Sequence, residues 1–490
     1  MLTALVCLLP TLATARAHSL LLTPSAPSDA LHDCIASSYR GHYAGQHAYL
    51  ITKGCSSSAS LGLLDSGSLT PLESEDRIVW VGPSNVRPST PSTLQDMLSA
   101  WEIIDSTASS LLSQHGEDVQ TSFSHDTYEV LLDRVPSLVH ATETGLFLSV
   151  PSSILPVLDT LLPPHLTPVA LPSYSLPLPS SYGNRWGVPE AKAAHLANIT
   201  KHLQFNTRLA AIASTISAKE ILEDVRYLTG ERQDSDIQSR HSFHPDYLKA
   251  FSWVRRQMGA LGIECSPYLY EEGFGPGLLC SIYPETGSED HVIISAHLDS
   301  RGSFGSLRAP GADDDGSGSA HLLAIARAIS QHNVTFEHPV TLAFFTGEEQ
   351  GLVMSSHFAH TLKKENVSVQ LNVQADMLGY RVPGEPLQLA LPATIDLPEA
   401  SFLVANLSQL YAPELVVGRT AACCSDHQSF LQLGFPATQV FERNGWIADP
   451  MYHNSGDLSD REGYDAEQIK SIAKVTMATL FEVAGWQQGK

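Results

Sequence analysis

Imidazole and carboxylate side chains follow apolar, strand-like segments at several points in the second half of this sequence. In an open α/β sheet, functional sites form where strands reach their carboxyl ends, so these side chains are expected to meet there. Imidazole and carboxylate ligands without thiolate favour a catalytic zinc-type site over a structural one, and one shared carboxylate would suit two metals. The residues concerned are His297, Asp299, the run Asp313 to Asp315, Glu348, Glu349, Asp376 and His453.

The elements that must position these residues alternate between two patterns. Near-continuous apolar segments typical of buried strands cover 292–296, 340–345, 369–375 and 438–441. Amphipathic helical patterns lie between and around them, and the longest covers 465–484. This alternation predicts an α/β fold from residue 205 to 490, a three-layer α/β/α sandwich around a mostly parallel sheet.

A smaller α+β domain is predicted for residues 18–180. Strand patterns at 47–52, 77–81, 129–132 and 145–150 accompany helical spacing over 93–112, and 146–171 is typical of strand, helix, strand. Prolines are frequent over 163–189, which we interpret as the domain boundary, with residues 181–204 as a linker. This domain carries no metal-type cluster and would be either a pro-domain or a permanent accessory domain.

The N-terminus and the cysteines indicate a secreted protein. Residues 1–17 have an apolar centre and end in Ala15-Arg16-Ala17, typical of a signal peptide. The remaining six cysteines are an even number that allows 15 pairings, so disulfides are expected but their partners stay open. A formal charge of -23 argues against nucleic-acid binding, and no run approaches the ~20 apolar residues of a membrane span.

Five segments in a fixed order resemble the M28 family of zinc peptidases, most closely its secreted leucyl-type aminopeptidases. They are AHLDS, PGADDDGSG, FFTGEEQGL, ADMLG and YHNSGD, and the resemblance covers about residues 205–487. It implies two zinc ions bridged by Asp314, with Glu348 as the general base. It also implies a cis peptide after Asp314 and a hydrogen bond from Tyr452 to the reaction oxyanion. The implied metal ligands are His297, Asp314, Glu349, Asp376 and His453.

Several residues allow a simpler interpretation. The three aspartates could be a solvated helix start, Glu348 and Glu349 an exposed pair, and Tyr452 a core residue. The chain departs from the family pattern after His453, where Asn454 stands in place of the usual threonine. The adjacent Cys423 and Cys424 resemble a single family cysteine near the substrate pocket, which leaves their pairing ambiguous.

The sequence therefore predicts a secreted, monomeric di-zinc aminopeptidase that acts on peptides with a free N-terminus. A carboxypeptidase of the same family is the first alternative, because Arg419 and Arg443 could bind a carboxylate. A single-zinc enzyme similar to glutaminyl cyclases and a non-catalytic binding protein on this fold are the others. The preferred substrate side chain is not readable from the sequence.

Overall fold

The computed structural model describes most of the chain at the level of individual residues. The described residues are 17–24, 33–43, 45–52, 55, 67–74, 76–84, 93–113, 134–178, 186–284, 288–422 and 424–489. Residues 1–16 of the predicted signal peptide, the predicted strand 129–132 and Cys423 lie outside them.

The described residues form eighteen strands and eleven α-helices. The strands are β1 Ala17–Thr23, β2 Tyr39–Tyr43, β3 Gln46–Thr52, β4 Ser68–Pro71, β5 Arg77–Pro83, β6 Ser137–Thr142, β7 Gly145–Val150, β8 Leu166–Ala170, β9 Glu264–Tyr268, β10 Gly277–Ile282, β11 Asp290–His297, β12 Val334–Phe336, β13 Val340–Phe345, β14 Ser368–Ala375, β15 Gln388–Pro392, β16 Val416–Thr420, β17 Ala437–Val440 and β18 Trp486–Gln488. The helices are α1 Asp33–Ala36, α2 Leu94–Ser113, α3 Glu190–His202, α4 Thr207–Ala213, α5 Ala218–Leu228, α6 Tyr247–Ala260, α7 Gly316–Gln331, α8 Val353–Lys364, α9 Pro398–Tyr411, α10 His427–Gln432 and α11 Ala466–Ala484.

A six-stranded sheet in the order β17-β14-β11-β13-β10-β9 forms the centre of the molecule. Its first four strands run parallel to one another, and β10 and β9 continue it in antiparallel pairing. Parallel strands present their carboxyl ends at one edge, so β11, β13, β14 and β17 all deliver the residues that follow them to the same side. The prediction of a mixed α/β fold is confirmed.

Helices cover this sheet because its central strands are buried along most of their length. All six residues of β13 are buried, as are the last six of β11. Helices α7 and α11 lie against β11, whereas α10 lies against β14 and β17. None of the helices formed by the described residues is both long and apolar enough to span a membrane.

The N-terminal region contributes two four-stranded antiparallel sheets, β2-β3-β1-β4 and β6-β7-β5-β8. Its apolar residues are not segregated from the rest of the molecule. Leu20, Trp80 and Phe147 share one buried cluster with Leu352, which begins helix α8 as its N-cap. The separation of residues 18–180 as a domain stays a prediction, but buried contacts cross the proposed boundary.

The proline-rich boundary contains more regular structure than predicted. Strand β8 lies inside segment 163–189, where Pro168 is tolerated because β8 is the edge strand of its sheet. The predicted linker 181–204 contains the thirteen-residue helix α3, whose alanine-rich sequence favours a helix once Pro189 has begun it.

Single residues set the helix boundaries in two other segments. The segment that begins at Asn206 forms two helices, α4 and α5, because Asn206 and Ser217 each cap a new helix with their side chains. Residues 152–162 form two short 3₁₀ turns instead of an α-helix, and Pro156 lies in the first of them.

Strands β9 and β10 form an antiparallel hairpin. Tyr268 is the last residue of its first strand, and segment 269–276 connects the two strands. Cys265 and Cys280 lie opposite each other in this pair and form a disulfide, as do Cys34 and Cys55. Cys424 is also disulfide-bonded.

Candidate metal centre

The five predicted ligands come from five places in the chain that the sheet brings together. His297 is the last residue of β11, Asp376 directly follows β14, and Glu349 follows β13 by four residues. Asp314 precedes α7, and His453 lies in the loop after β17. All five side chains are buried, although each carries a charge or a polar ring.

The two carboxylate oxygens of Asp314 face different histidines. The Oδ1 atom lies 3.2 Å from His297 Nε2, and the same nitrogen lies 3.6 Å from Asp376 Oδ1. The Oδ2 atom lies 3.4 Å from His453 Nε2, which in turn lies 3.3 Å from Glu349 Oε2. The five side chains thus form two groups of three that share Asp314.

These separations suit zinc. Tetrahedral zinc with bonds of about 2.0–2.1 Å places neighbouring ligand atoms about 3.3–3.4 Å apart, close to the observed spacings. Both ring nitrogens of His297 and the Oε1 atom of Glu349 are buried without a hydrogen-bond partner. A metal ion accounts for such atoms, because buried polar groups otherwise have partners.

The electrostatics of the cluster also favour a bound cation. Burial, reinforced by Glu349, raises the pKa of Asp314 to about 6. Burial raises the pKa of Glu349 to about 8 and that of Glu348 well above its usual value. Burial and the neighbouring Arg301 lower the pKa of His453 to about 3, so its imidazole is neutral, as a metal ligand must be. A dication would relieve the repulsion among the carboxylates.

Each residue of the aspartate run has a separate role. The Oδ1 atom of Asp313 accepts a hydrogen bond from the main-chain N–H of Gly379 at 2.7 Å. Asp315 accepts from the N–H groups of His297 and Gly318, which caps helix α7 and ties it to β11. The peptide between Asp314 and Asp315 is cis, as the family resemblance implied. The simpler interpretation as a solvated helix start does not hold, because all three side chains are buried.

Glu348 and Glu349 face different parts of the centre. Glu348 lines the pocket beside Asp314 and Asp376, whereas Glu349 is turned towards His453. Glu348 also has an oxygen within 4.8 Å of the ligand atoms of His297 and Asp376. Glu348 thus faces the space that a substrate could occupy, whereas Glu349 faces another predicted metal ligand.

Tyr452 lies at the wall of the same pocket and stacks on His453, with the ring centroids 3.7 Å apart. Burial raises the pKa of its phenol well above the usual value, so the hydroxyl keeps its proton and can donate a hydrogen bond. Asp299 is fully buried, and its Oδ1 atom lies 3.6 Å from His297 Nδ1. Asp299 Oδ2 accepts hydrogen bonds from the Ser242 hydroxyl and from the Glu349 N–H, which connects both halves of the centre.

A supporting carboxylate, Asp457, was not singled out from the sequence. It accepts hydrogen bonds from the main-chain N–H groups of Asp313 and Asp314 at 3.0–3.1 Å. These bonds hold the main chain at Asp314, the predicted bridging ligand, in place. Arg461 in turn donates to Asp457 at 2.9 Å, and both of its terminal nitrogens, Nη1 and Nη2, donate to the carboxylate of Asp449. The signal that could have found Asp457 is the Asp that closes the YHNSGD motif.

Replacing Arg461 with Leu should destabilise the protein by about 3–5 kcal/mol, because two buried carboxylates lose their partner. The matched control is Arg232→Leu, which removes an exposed pair with Asp234 and should cost less than about 1 kcal/mol. Denaturant-induced unfolding followed by tryptophan fluorescence measures both variants. Equal shifts in the two midpoints would contradict this role for Arg461.

Comparison with known proteins agrees with this geometry. Residues 279–480 match the model of Peptidase family M28. The M28 match begins within β10, ends within α11 and contains every predicted ligand. It confirms both the resemblance and the prediction of a hydrolytic peptidase. M28 peptidases depend on metal ions. Two sets of three side chains in this centre have ligand atoms close enough to hold a metal ion, namely His297 with Glu348 and Asp376, and His297 with Asp314 and Glu349.

Individual M28 relatives are named aminopeptidases. A probable leucine aminopeptidase of Arthroderma otae is 27% identical over 300 residues, which are 59% of this chain and 78% of that protein. Leucine aminopeptidase 1 of Phaeosphaeria nodorum is 26% identical and is covered over 73% of its length.

Two solved structures share the fold. The LapA aminopeptidase of Legionella pneumophila has a TM-score of 0.57 at 20% identity, with 72% of this chain and 95% of LapA aligned. LapB from the same organism has a TM-score of 0.55 at 18% identity, with 84% of this chain and 99% of LapB aligned.

Proposed function

We propose that this chain is a secreted aminopeptidase that uses two zinc ions to remove N-terminal residues from peptides. The observation that carries this proposal is the pair of ligand groups that share Asp314. A single-zinc enzyme would require only one of these groups, and a non-catalytic relative would require neither. The proposal includes a three-layer α/β/α arrangement over residues 205–490, and a signal peptide ending at residue 17.

An aminopeptidase is favoured over a carboxypeptidase by the charges around the pocket. The carboxylates of Asp314, Glu348 and Asp376 line it, and no lysine or arginine is among its described lining residues. The two arginines that left the alternative open have other partners. Arg443 binds Glu385 through two nitrogens, and Arg419 binds Asp396 at 2.9 Å. The described pocket wall therefore offers no cation that would bind a C-terminal carboxylate, which favours a substrate bound by its N-terminus.

The residues divide the chemistry among them. Two zinc ions held by the five ligands would polarise the scissile carbonyl and acidify the water that attacks it. The Glu348 carboxylate, facing the pocket, removes a proton from this water and returns it to the departing amine. The Tyr452 hydroxyl donates a hydrogen bond to the oxygen of the tetrahedral intermediate.

Part of the pocket wall is apolar. Met377, Ala422, Phe441 and Ile447 line the pocket and belong to one buried cluster. Burying a charged side chain there without a partner would cost binding energy. We therefore expect an uncharged, aliphatic N-terminal residue to be preferred.

The test is a peptidase assay of the purified full chain with a panel of matched peptides. A peptide with a free N-terminal leucine should be cleaved, and its N-acetylated counterpart should not, because the acetyl group removes the ammonium charge. Peptides beginning with lysine or glutamate should show a kcat/KM lower by roughly 10–200-fold. Comparable cleavage of the acetylated peptide, or release of C-terminal residues, would refute the proposal.

A further inference from the structure

A short segment of the N-terminal region, residues 159–167, lies directly against one of the proposed metal ligands. The main-chain carbonyl of Pro164 accepts a hydrogen bond from His453 Nδ1 at 3.0 Å, although 289 residues separate the two in the chain. Thr167 lines the pocket itself. The metal centre is thus completed by residues that precede the M28 match by more than a hundred positions.

The hydrogen bond to Pro164 selects one form of the His453 ring. The Nε2 atom can bind a metal only if its lone pair is free, so the ring proton must be on Nδ1. Arg301 Nη1 also lies 2.9 Å from Nδ1, but a guanidinium has no acceptor atom and cannot take that proton. Among the described neighbours of Nδ1, the carbonyl of Pro164 therefore holds the proton and directs Nε2 towards Asp314 and Glu349.

Arg301 fixes the segment that supplies this carbonyl. Its guanidinium donates to the carbonyls of Leu166 at 2.9 Å, of Leu162, and of Pro163 at 3.3 Å. The side chain is only 2% exposed, so these bonds are shielded from water. A buried cation next to a metal centre opposes the binding of zinc by charge repulsion. Its presence is explained by the carbonyls that it holds in place.

Two further contacts attach the same segment to the M28 region. The Asp159 carboxylate lies 3.0 Å from His241 Nε2, and both side chains are completely buried. The carbonyl of Thr160 accepts a hydrogen bond from the Gly305 N–H at 2.8 Å, in the loop that follows Arg301. Segment 159–167 is therefore attached by buried polar contacts at its beginning as well as beside His453.

We propose that residues 159–167 are a permanent part of the metal centre, in which Arg301 and the Pro164 carbonyl act together to position His453. The N-terminal region is then retained in the active enzyme, not discarded as a pro-domain would be. This inference rests on the proposed di-zinc function.

Zinc affinity measured at each site tests the inference. Arg301→Met and Arg301→Lys in the full chain should bind one of the two zinc ions roughly 10–100-fold more weakly in chelator competition. The second zinc, held by His297 and Asp376, should keep its affinity, and excess zinc should restore activity. Arg256→Lys is the matched control, because Arg256 is exposed on helix α6 and its replacement should leave both affinities unchanged.

The outcomes separate this inference from the function on which it rests. A wild-type protein that binds no zinc ion, or only one zinc ion, would refute the di-zinc proposal itself. If the wild type binds two zinc ions and both Arg301 variants bind them as tightly or more tightly, the charge of Arg301 dominates and the positioning role is wrong. If Arg301→Met does not fold, the lysine variant decides, since it keeps the charge but cannot reach three carbonyls.

Retention of the N-terminal region has an independent readout. Mass spectrometry of the active, zinc-loaded enzyme isolated from its natural source should find residues 159–167 present, as intact chain or as a bound fragment. An active enzyme that contains two zinc ions and lacks this segment would overturn the inference.

Discussion

Glu348→Gln should retain both zinc ions and lose activity by a factor of roughly 10²–10⁴ or more. The amide keeps the shape of the carboxylate but cannot accept a proton from the attacking water. Glu348 lines the pocket and is not one of the five proposed ligands, and glutamine has nearly the same size, so its replacement should leave the ligand groups in place. Kinetic assays with a free N-terminal leucine peptide, together with zinc analysis of the same sample, measure both effects.

The neighbouring glutamate provides the comparison for this variant. Glu349→Gln should also lose activity, but through weakened zinc binding, because Glu349 Oε2 belongs to the His453 group. Added zinc should therefore recover activity in Glu349→Gln and not in Glu348→Gln. Full activity of Glu348→Gln, or recovery of both variants by zinc, would exclude Glu348 as the general base.

Removing zinc with a chelator should abolish activity and lower the unfolding temperature of the full chain. Zinc bound to the folded state alone stabilises it by about 4 kcal/mol when its free concentration is 1,000 times Kd. Without a cation, the neighbouring carboxylates of this cluster repel one another. Burial also disfavours their charged forms, and it raises the pKa values of Asp314, Glu348 and Glu349. Thermal unfolding with and without chelator measures the shift.

Asp314→Asn is the control for the zinc effect. This variant has lost the bridging charge, so its unfolding temperature should depend only weakly on zinc. Readdition of zinc to the stripped wild type should restore both stability and activity, whereas magnesium, which prefers six oxygen ligands, should not. An unfolding temperature of the wild type that is independent of zinc would contradict the assignment of the centre.

The central sheet, and the presence of polar residues where its strands end, could be predicted from the sequence because both leave local signals. A buried parallel strand is a short apolar run, and His297 and Asp376 stand directly at the ends of two such runs. The choice of Asp314 among three aspartates, and of Glu349 over Glu348, came from the family resemblance and not from spacing. The structure brings Asp314 and Glu349 together with His453.

The contribution of the N-terminal region could not be predicted in the same way. The group that contacts His453 is a main-chain carbonyl, which every residue has, so Pro164 carries no chemical signature in the sequence. Arg301 carries no such signature either, because an arginine in a polar loop is normally exposed. The prolines of segment 163–189 indicated a spacer, whereas an edge strand and a buried contact occupy its first part.

The distribution of the ligands along the chain has a consequence for biosynthesis. During translation His297 is made first among them and His453 last, and the Pro164 carbonyl precedes both. Part of the N-terminal surface that is buried in the folded protein therefore stays exposed until the loop after β17 has been synthesised. Contacts between residues so far apart in the chain form slowly. The chain between them must lose conformational entropy before the contacts can stabilise the fold. The proposed metal centre is therefore complete only after the last of its ligands, His453, has been synthesised and has reached the Pro164 carbonyl.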